Sequence, residues 1–179
     1  PDGHTVSHTY DLDGRLTSTT DANGNTTSFT YDPNGNLTVT TDPLGNTETT
    51  SYDVMKQAVA VVDKRGNTTS TTYDAMGRVT SVTDGNGNAT SYTYDANGNV
   101  LTITDGNGNT STCEYDAENK LTKITTAEGN VTTFIYDALG QLTGTTNALG
   151  NTTTGVYDAD GNLTGETSAL GLTTSYAYD

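Results

Sequence analysis

Tyr10-Asp11-Leu12-Asp13-Gly14 decides the reading of this chain, because its Tyr-Asp pair returns at one fixed interval. The pair falls at Tyr10-Asp11, Tyr31-Asp32, Tyr52-Asp53, Tyr73-Asp74, Tyr94-Asp95, Tyr115-Asp116, Tyr136-Asp137, Tyr157-Asp158 and Tyr178-Asp179, always 21 residues apart. The glycine of the motif is kept at Gly14, Gly35, Gly77, Gly98, Gly140 and Gly161 and gives way to Lys56 and Asn119. Such self-similarity marks a repeat array. Residues 1–179 are therefore expected to form a single array of about eight repeats, an uncapped segment of a longer chain. The recurring Tyr, Asp and Gly are a structural signature, with no catalytic residue, cofactor ligand or metal ligand among them.

Each repeat reads as two turns and two strands. From Asp11 to Tyr31 these are turn A at Asp11-Leu12-Asp13-Gly14, strand A over 15–20, turn B at Asp21-Ala22-Asn23-Gly24, and strand B over 25–31. In Asp-x-x-Gly the aspartate caps backbone amides two residues on, and the glycine takes the left-handed conformation that closes the turn. The leading residue of turn B changes to Thr126, Asn147 and Ser168, all of which can cap through a side-chain oxygen. Asn119 tolerates positive φ, whereas Lys56 predicts a locally altered turn. His4 and His8 occupy the slots of Asn25 and Phe29 and read as repeat variants.

Just after turn A stands an aliphatic residue, as at Leu16, Leu37, Val79 and Leu121, across the turn from the tyrosine. Phe29, Tyr92 and Phe134 lie two residues before a tyrosine and share its face. One face is thus apolar and aromatic and the other largely threonine. A second apolar position, at Val61, Val82, Ile103 and Ile124, has the wrong parity for the leucine face, which requires either a bulge or partial cover on both faces. A lone repeat cannot repay its ordering entropy, so further copies of the repeat in the same chain are its first partners. A twisted sheet this long, with no helical segment to cover it, is expected to coil into a spiral or tube with the tyrosines inward as core.

Composition removes several functions. Seven Lys and Arg against 22 Asp and Glu give a net charge of -15, which repels nucleic acid and anionic membranes. No apolar run reaches membrane-spanning length. The single Cys113 occupies the Phe29 slot and reads as a small apolar filler. No nucleophile, base and orienting group stand together, so catalysis is not expected.

Two binding chemistries compete with the structural reading. Asp84-Gly85-Asn86-Gly87-Asn88 and Asp105-Gly106-Asn107-Gly108-Asn109 resemble the start of a calcium loop. Asp95 and Asp116 replace the glutamate such a loop needs at its twelfth position, and turn capping accounts for both stretches. Ca2+ at acidic turns stays as the alternative to no cofactor. Tyrosines nearly 10 Å apart could stack on alternate sugars if they are not core. Asn-x-Thr/Ser sequons at Asn25, Asn36, Asn67, Asn88, Asn109, Asn130, Asn151 and Asn162 follow from turn chemistry succeeded by β propensity.

Tyr10-Asp11-Leu12-Asp13-Gly14-Arg15-Leu16-Thr17 and Tyr73-Asp74-Ala75-Met76-Gly77-Arg78-Val79-Thr80 resemble the signature of the RHS or YD-repeat family over essentially the whole chain. That family includes bacterial Rhs and wall-associated proteins, Tc-toxin C components and teneurins. The resemblance implies an all-β spiral shell and a secreted or cell-surface container, which in the toxin members encloses a C-terminal toxin domain. An extracellular filament or adhesin stalk formed by self-assembly is the rival. Asp42-Pro43-Leu44-Gly45 only faintly echoes the family's self-cleaving aspartate motif and occupies an ordinary turn B.

Overall fold

A computed structural model describes residues 5–179, which leaves His4 outside the described residues. The fold is all-β, a repetitive array of antiparallel hairpins. Two compact units divide it, Pro1–Ala89 and Thr90–Asp179. The first contains β1 (Ser7–Tyr10), β2 (Leu16–Thr20), β3 (Thr26–Tyr31), β4 (Leu37–Thr41), β5 (Thr47–Tyr52), β6 (Ala58–Val62), β7 (Thr68–Tyr73) and β8 (Val79–Thr83). The second takes β9 (Ala89–Tyr94) from Thr90 on, then β10 (Val100–Thr104), β11 (Thr110–Tyr115), β12 (Leu121–Thr125) and β13 (Val131–Tyr136). It ends with β14 (Leu142–Thr146), β15 (Thr152–Tyr157), β16 (Leu163–Thr167) and β17 (Thr173–Ser175). Within each unit every strand pairs antiparallel with its chain neighbours.

The turns follow from their side chains. At Asp32, Oδ1 accepts from the N–H groups of Asn34 and Asn36, both at 2.9 Å, and Oδ2 accepts from Asn36 Nδ2 at 2.8 Å. Gly35 N–H donates to the Asp32 carbonyl at 3.0 Å, while Asp32 N–H donates to the Asn36 carbonyl at 2.9 Å. One aspartate thereby satisfies the backbone of a whole turn. Lys56 departs from expectation: its turn is not altered. With φ of 65° it adopts the conformation of the glycines it replaces, and Lys56 N–H donates to the Asp53 carbonyl at 3.1 Å. Its ammonium reaches the Asn34 carbonyl at 2.9 Å, a tie to the preceding repeat that offsets backbone strain. Asn119, at φ 64°, makes the same kind of tie to Asn97 and Asn99.

The parity problem resolves as a bulge. Tyr31 faces Leu37 but Thr30 faces Val39, so Thr38 is the extra residue and the pleat resets after it. The same shift recurs beside each tyrosine of the paired strands, and it brings Val61 opposite Thr50, Val82 opposite Thr71, Ile103 opposite Tyr92 and Ile124 opposite Cys113. Both apolar positions of strand A therefore lie on the tyrosine face. The bulge residue is usually threonine for a reason beyond β propensity: its hydroxyl donates to the carbonyl just before the tyrosine, from Thr38 to Thr30 at 3.1 Å and from Thr122 to Glu114 at 3.1 Å.

Beyond the bulge the ladder toward the preceding strand stops, and the tyrosine closes the gap. Between β2 and β3 the register runs only from Thr20 and Thr26 to Ser18 and Ser28. Tyr31 Oη then donates to the Leu16 carbonyl at 2.9 Å. The same bond, always 15 residues back, joins Tyr52 to Leu37, Tyr73 to Ala58, Tyr136 to Leu121, Tyr157 to Leu142 and Tyr178 to Leu163, at 2.9–3.0 Å. The expectation of a tyrosine core needs correction, because no hydrophobic residue among the described residues is fully buried. Each strand touches only its neighbours in the sheet, so the rings are half-covered by adjoining side chains and no second layer of strands lies over them within either unit.

Two substitutions test this geometry. Gly98 sits at φ 95°, so Gly98→Val should cost on the order of 2 kcal/mol, whereas Thr93→Val on strand β9 should stay within about 1 kcal/mol. Equal losses in denaturant melts would sink the turn assignment. Tyr136→Phe should cost about 1 kcal/mol and speed amide exchange around Leu121, by removing the donor to its carbonyl.

Candidate functional site

Many of the side chains that distinguish one repeat from another project from the turns. Turn A is led by Asp11, Asp32, Asp53, Asp74, Asp95, Asp116, Asp137 and Asp158, with positive-φ glycines at Gly14, Gly35, Gly77, Gly98, Gly140 and Gly161. The residue after the glycine position selects what the aspartate's second oxygen does. Asparagine there folds back, as Asn36 does on Asp32 and Asn99 on Asp95 at 2.8 Å. Arginine does the same and reaches further. Arg15 Nε meets Asp11 Oδ2 at 2.7 Å, its Nη2 meets Asp13 at 3.0 Å, and its guanidinium carbon stands 5.1 Å from the Tyr31 ring centre. Glutamine and lysine instead stretch along the row of turns, and Gln57 Nε2 donates to the Gly77 carbonyl at 3.1 Å.

Three of the ties between successive repeats at the turns share a spacing that sequence reasoning missed. Lys64 Nζ pairs with Asp42 at 3.0 Å, Lys56 with the Asn34 carbonyl, and Asn97 with Asn119, each 22 residues apart. One repeat plus one residue brings two turns of the same kind side by side, and a search for opposite charges at that interval would have found Lys64 and Asp42.

Other predicted positions are absorbed by turns and strands. Asp84 and Asp105 each place Oδ1 on two backbone amides and Oδ2 on an asparagine amide, at 2.9 Å. Among the described residues no group of three His, Cys, Asp or Glu is placed to hold a metal. Asp42 makes the ordinary turn, with Gly45 N–H on its carbonyl at 2.9 Å and both carboxylate oxygens engaged. Among the sequons, Asn25, Asn36, Asn67, Asn88, Asn109 and Asn162 donate their amides to aspartates, whereas Asn130 and Asn151 cap only through the backbone. His8 bonds Thr19 Oγ1 at 3.1 Å, and Cys113 is half-buried.

The RHS Repeat family model matches residues 1–26, 10–47, 52–89, 73–110, 115–152 and 157–179. The chain belongs to the RHS repeat family. Solved structures agree on the fold of this RHS array. A crystal structure of TcdB2-TccC3 without its hypervariable C-terminal region matches 89% of the chain at TM-score 0.71 and 20% identity. A crystal structure of TcdB2-TccC3 matches 93% at TM-score 0.72 and 22% identity. A Photorhabdus luminescens Tc holotoxin pore matches 92% at TM-score 0.65 and 16% identity. The RHS array corresponds to only 10–12% of the length of those chains. No curated protein matches it. It is a structural repeat scaffold.

Charge on the turns points to an acid-sensitive scaffold. The carboxyls of Asp21, Asp32, Asp63, Asp84, Asp105 and Asp158 are held below the ordinary aspartate range, first by the asparagine side chain four residues on and then by its backbone N–H. At Asp11 and Asp74 the backbone N–H of the following arginine leads. Asp42, held by Asn46 and then Lys64, falls to about 2. Groups whose folded values are depressed contribute stability above their unfolded value near 3.8, and that contribution is lost as pH falls through the folded values. Melting temperature should therefore hold level from neutral pH to about pH 4 and drop below it. Asp63→Asn with Asp84→Asn, which copies the turn led by Asn147, should shrink the drop; a decline beginning at neutral pH would overturn the account.

Proposed function

We propose that this RHS array is a non-catalytic wall segment of a secreted or cell-surface protein, coiled with further repeats into a shell that encloses a C-terminal toxin. The observation that carries the reading is the family match across the chain together with its fold likeness to TcdB2-TccC3. Backbone and side-chain bonding agree with a passive wall. Turn aspartates, bulge threonines and tyrosine hydroxyls are committed to holding repeats together, and no described cluster combines nucleophile, base and orienting group.

Uniformity supports a second reading. Each strand A has five residues and each full strand B has six, with no insertion from β2 to β16. Such regularity suits an extended filament or stalk, grown by adding identical units. Electron microscopy of the intact parent particle from its native source separates the two. A closed shell with internal density is the expected outcome. A long uniform filament would overturn the container and leave the scaffold.

A further inference from the structure

We propose that the hollow centred on Gly155 takes an aromatic ring that carries a cation, supplied from outside the chain. The tyrosine face has a slot two residues before each tyrosine, and the chain fills it with its own ring at Phe29, Tyr92, Phe134 and Tyr176. Gly155 puts no side chain in that slot. A cavity of about 220 Å³ stands there, bounded by Leu142, Gly155, Tyr157, Leu163 and Glu166 among others. An apolar cavity of about 150 Å³ is enough to hold benzene, so this volume suits one ring with a short substituent.

Three strands supply the walls. Leu142 on β14, Tyr157 on β15 and Leu163 on β16 give the apolar part, and Tyr157 is fixed in place by its hydroxyl on the Leu142 carbonyl at 2.9 Å. The floor is backbone: a Cβ on Gly155 would stand 3.1 Å from the Leu142 carbonyl oxygen and 3.1 Å from Leu163 Cδ1. Arg15 lies over the Tyr31 ring and Lys120 over the Tyr136 ring, but Gln141 takes the same position before Tyr157, which leaves that ring without a cation. One repeat earlier the slot is closed, because Phe134 stands opposite Thr145 and is itself half-buried.

Glu166 sets the charge of the occupant. It faces Gly155 directly across β15 and β16, at the position that holds Val61, Val82, Ile103 and Ile124 in other repeats. Its carboxylate makes no ion pair or hydrogen bond among the described residues, so neither turn capping nor strand pairing accounts for an acid on the tyrosine face. Directly opposed residues of an antiparallel pair stand about 5 Å apart at Cβ. A ring seated over Gly155 therefore brings a cation on a short tether within reach of Glu166. A neutral ring would satisfy the apolar walls and leave the carboxylate unpaired, and an anion would be repelled by it.

The 179-residue chain, isotope-labelled for NMR, is titrated with phenethylamine, cyclohexylethylamine and phenethyl alcohol. Saturable shifts are expected at Gly155, Tyr157 and Glu166 and not at Phe29, Tyr31 and Thr40, where the chain's own ring fills the slot. Phenethylamine should bind about fivefold more tightly than the saturated amine or the neutral alcohol. Glu166→Gln should lower its affinity to that of the alcohol. Gly155→Phe should abolish binding by seating an internal ring as Phe134 does. Because that side chain requires Leu163 to move, Glu166→Ile, which copies Ile124 and leaves the Gly155 backbone alone, is the second test and should abolish binding with the melting temperature level or higher. Tighter binding of N-acetyl-Phe-Lys-amide than of phenethylamine would assign ring and cation to adjacent side chains of a partner protein, and weaker binding would assign them to a small amine. No saturation, equal affinity for the amine and alcohol probes, or undiminished binding by either abolishing variant would overturn the proposal. None of these outcomes depends on whether the array encloses anything.

Discussion

The tyrosine hydroxyl bonded to a carbonyl 15 residues back is the contact on which the rest of the array depends. A sheet whose hairpins each carry a bulge twists locally, and its strands part at the bulged end. The parting strands leave a carbonyl after turn A without a ladder donor, and an unpaired backbone acceptor is costly wherever water is partly excluded. Phenylalanine would cover the neighbouring leucine as well as tyrosine does. Only tyrosine both covers the leucine and supplies the missing donor, which explains why that slot keeps its residue while its partner two residues earlier varies from Phe29 to Thr50 to Gly155.

That contact also explains how the array is ordered without a fully buried hydrophobic residue among the described residues. Half-covered aliphatic and aromatic side chains give less than full burial would, so more of the order comes from hydrogen bonds closed inside and between repeats. Aspartate holds its own turn, bulge threonine holds the strand just before the tyrosine, and tyrosine holds the strand behind. Each is short-range in sequence. Stability then accumulates by nearest-neighbour addition, as repeat arrays require.

Much of this was legible in the sequence. The period, the two Asp-x-x-Gly turns, strand ends within a residue, and the pairing of Tyr31 with Leu37 all follow from residue types that have few alternatives at those sites. What escaped reading was three-dimensional. Val61 had the wrong parity only under an unbroken pleat, and no residue type announces a bulge when threonine fills it as readily as it fills a strand. Lys56 looked incompatible with its turn because its compensating bond lies on another repeat, 22 residues back. The expectation of a core rested on a long twisted sheet coiling with its tyrosine face inward, whereas within each unit strand neighbours alone give the side chains partial cover.

These constraints leave little freedom for function in the strands. Nearly every strand position is committed to a face, a bulge or a hydrogen bond that recurs each 21 residues, so a change there is felt as a change in the wall. The middle positions of the turns and the residue that follows the turn glycine are different. They hold Leu12, Met55, Glu118, Leu149 and Leu170 at equivalent or neighbouring places, all but Glu118 strongly exposed apolar side chains, without altering the turn. Individuality in such an array is written along its turns. The turns at 11–15 and 116–120 share only their leading aspartate, yet the backbone bonds that close them are the same.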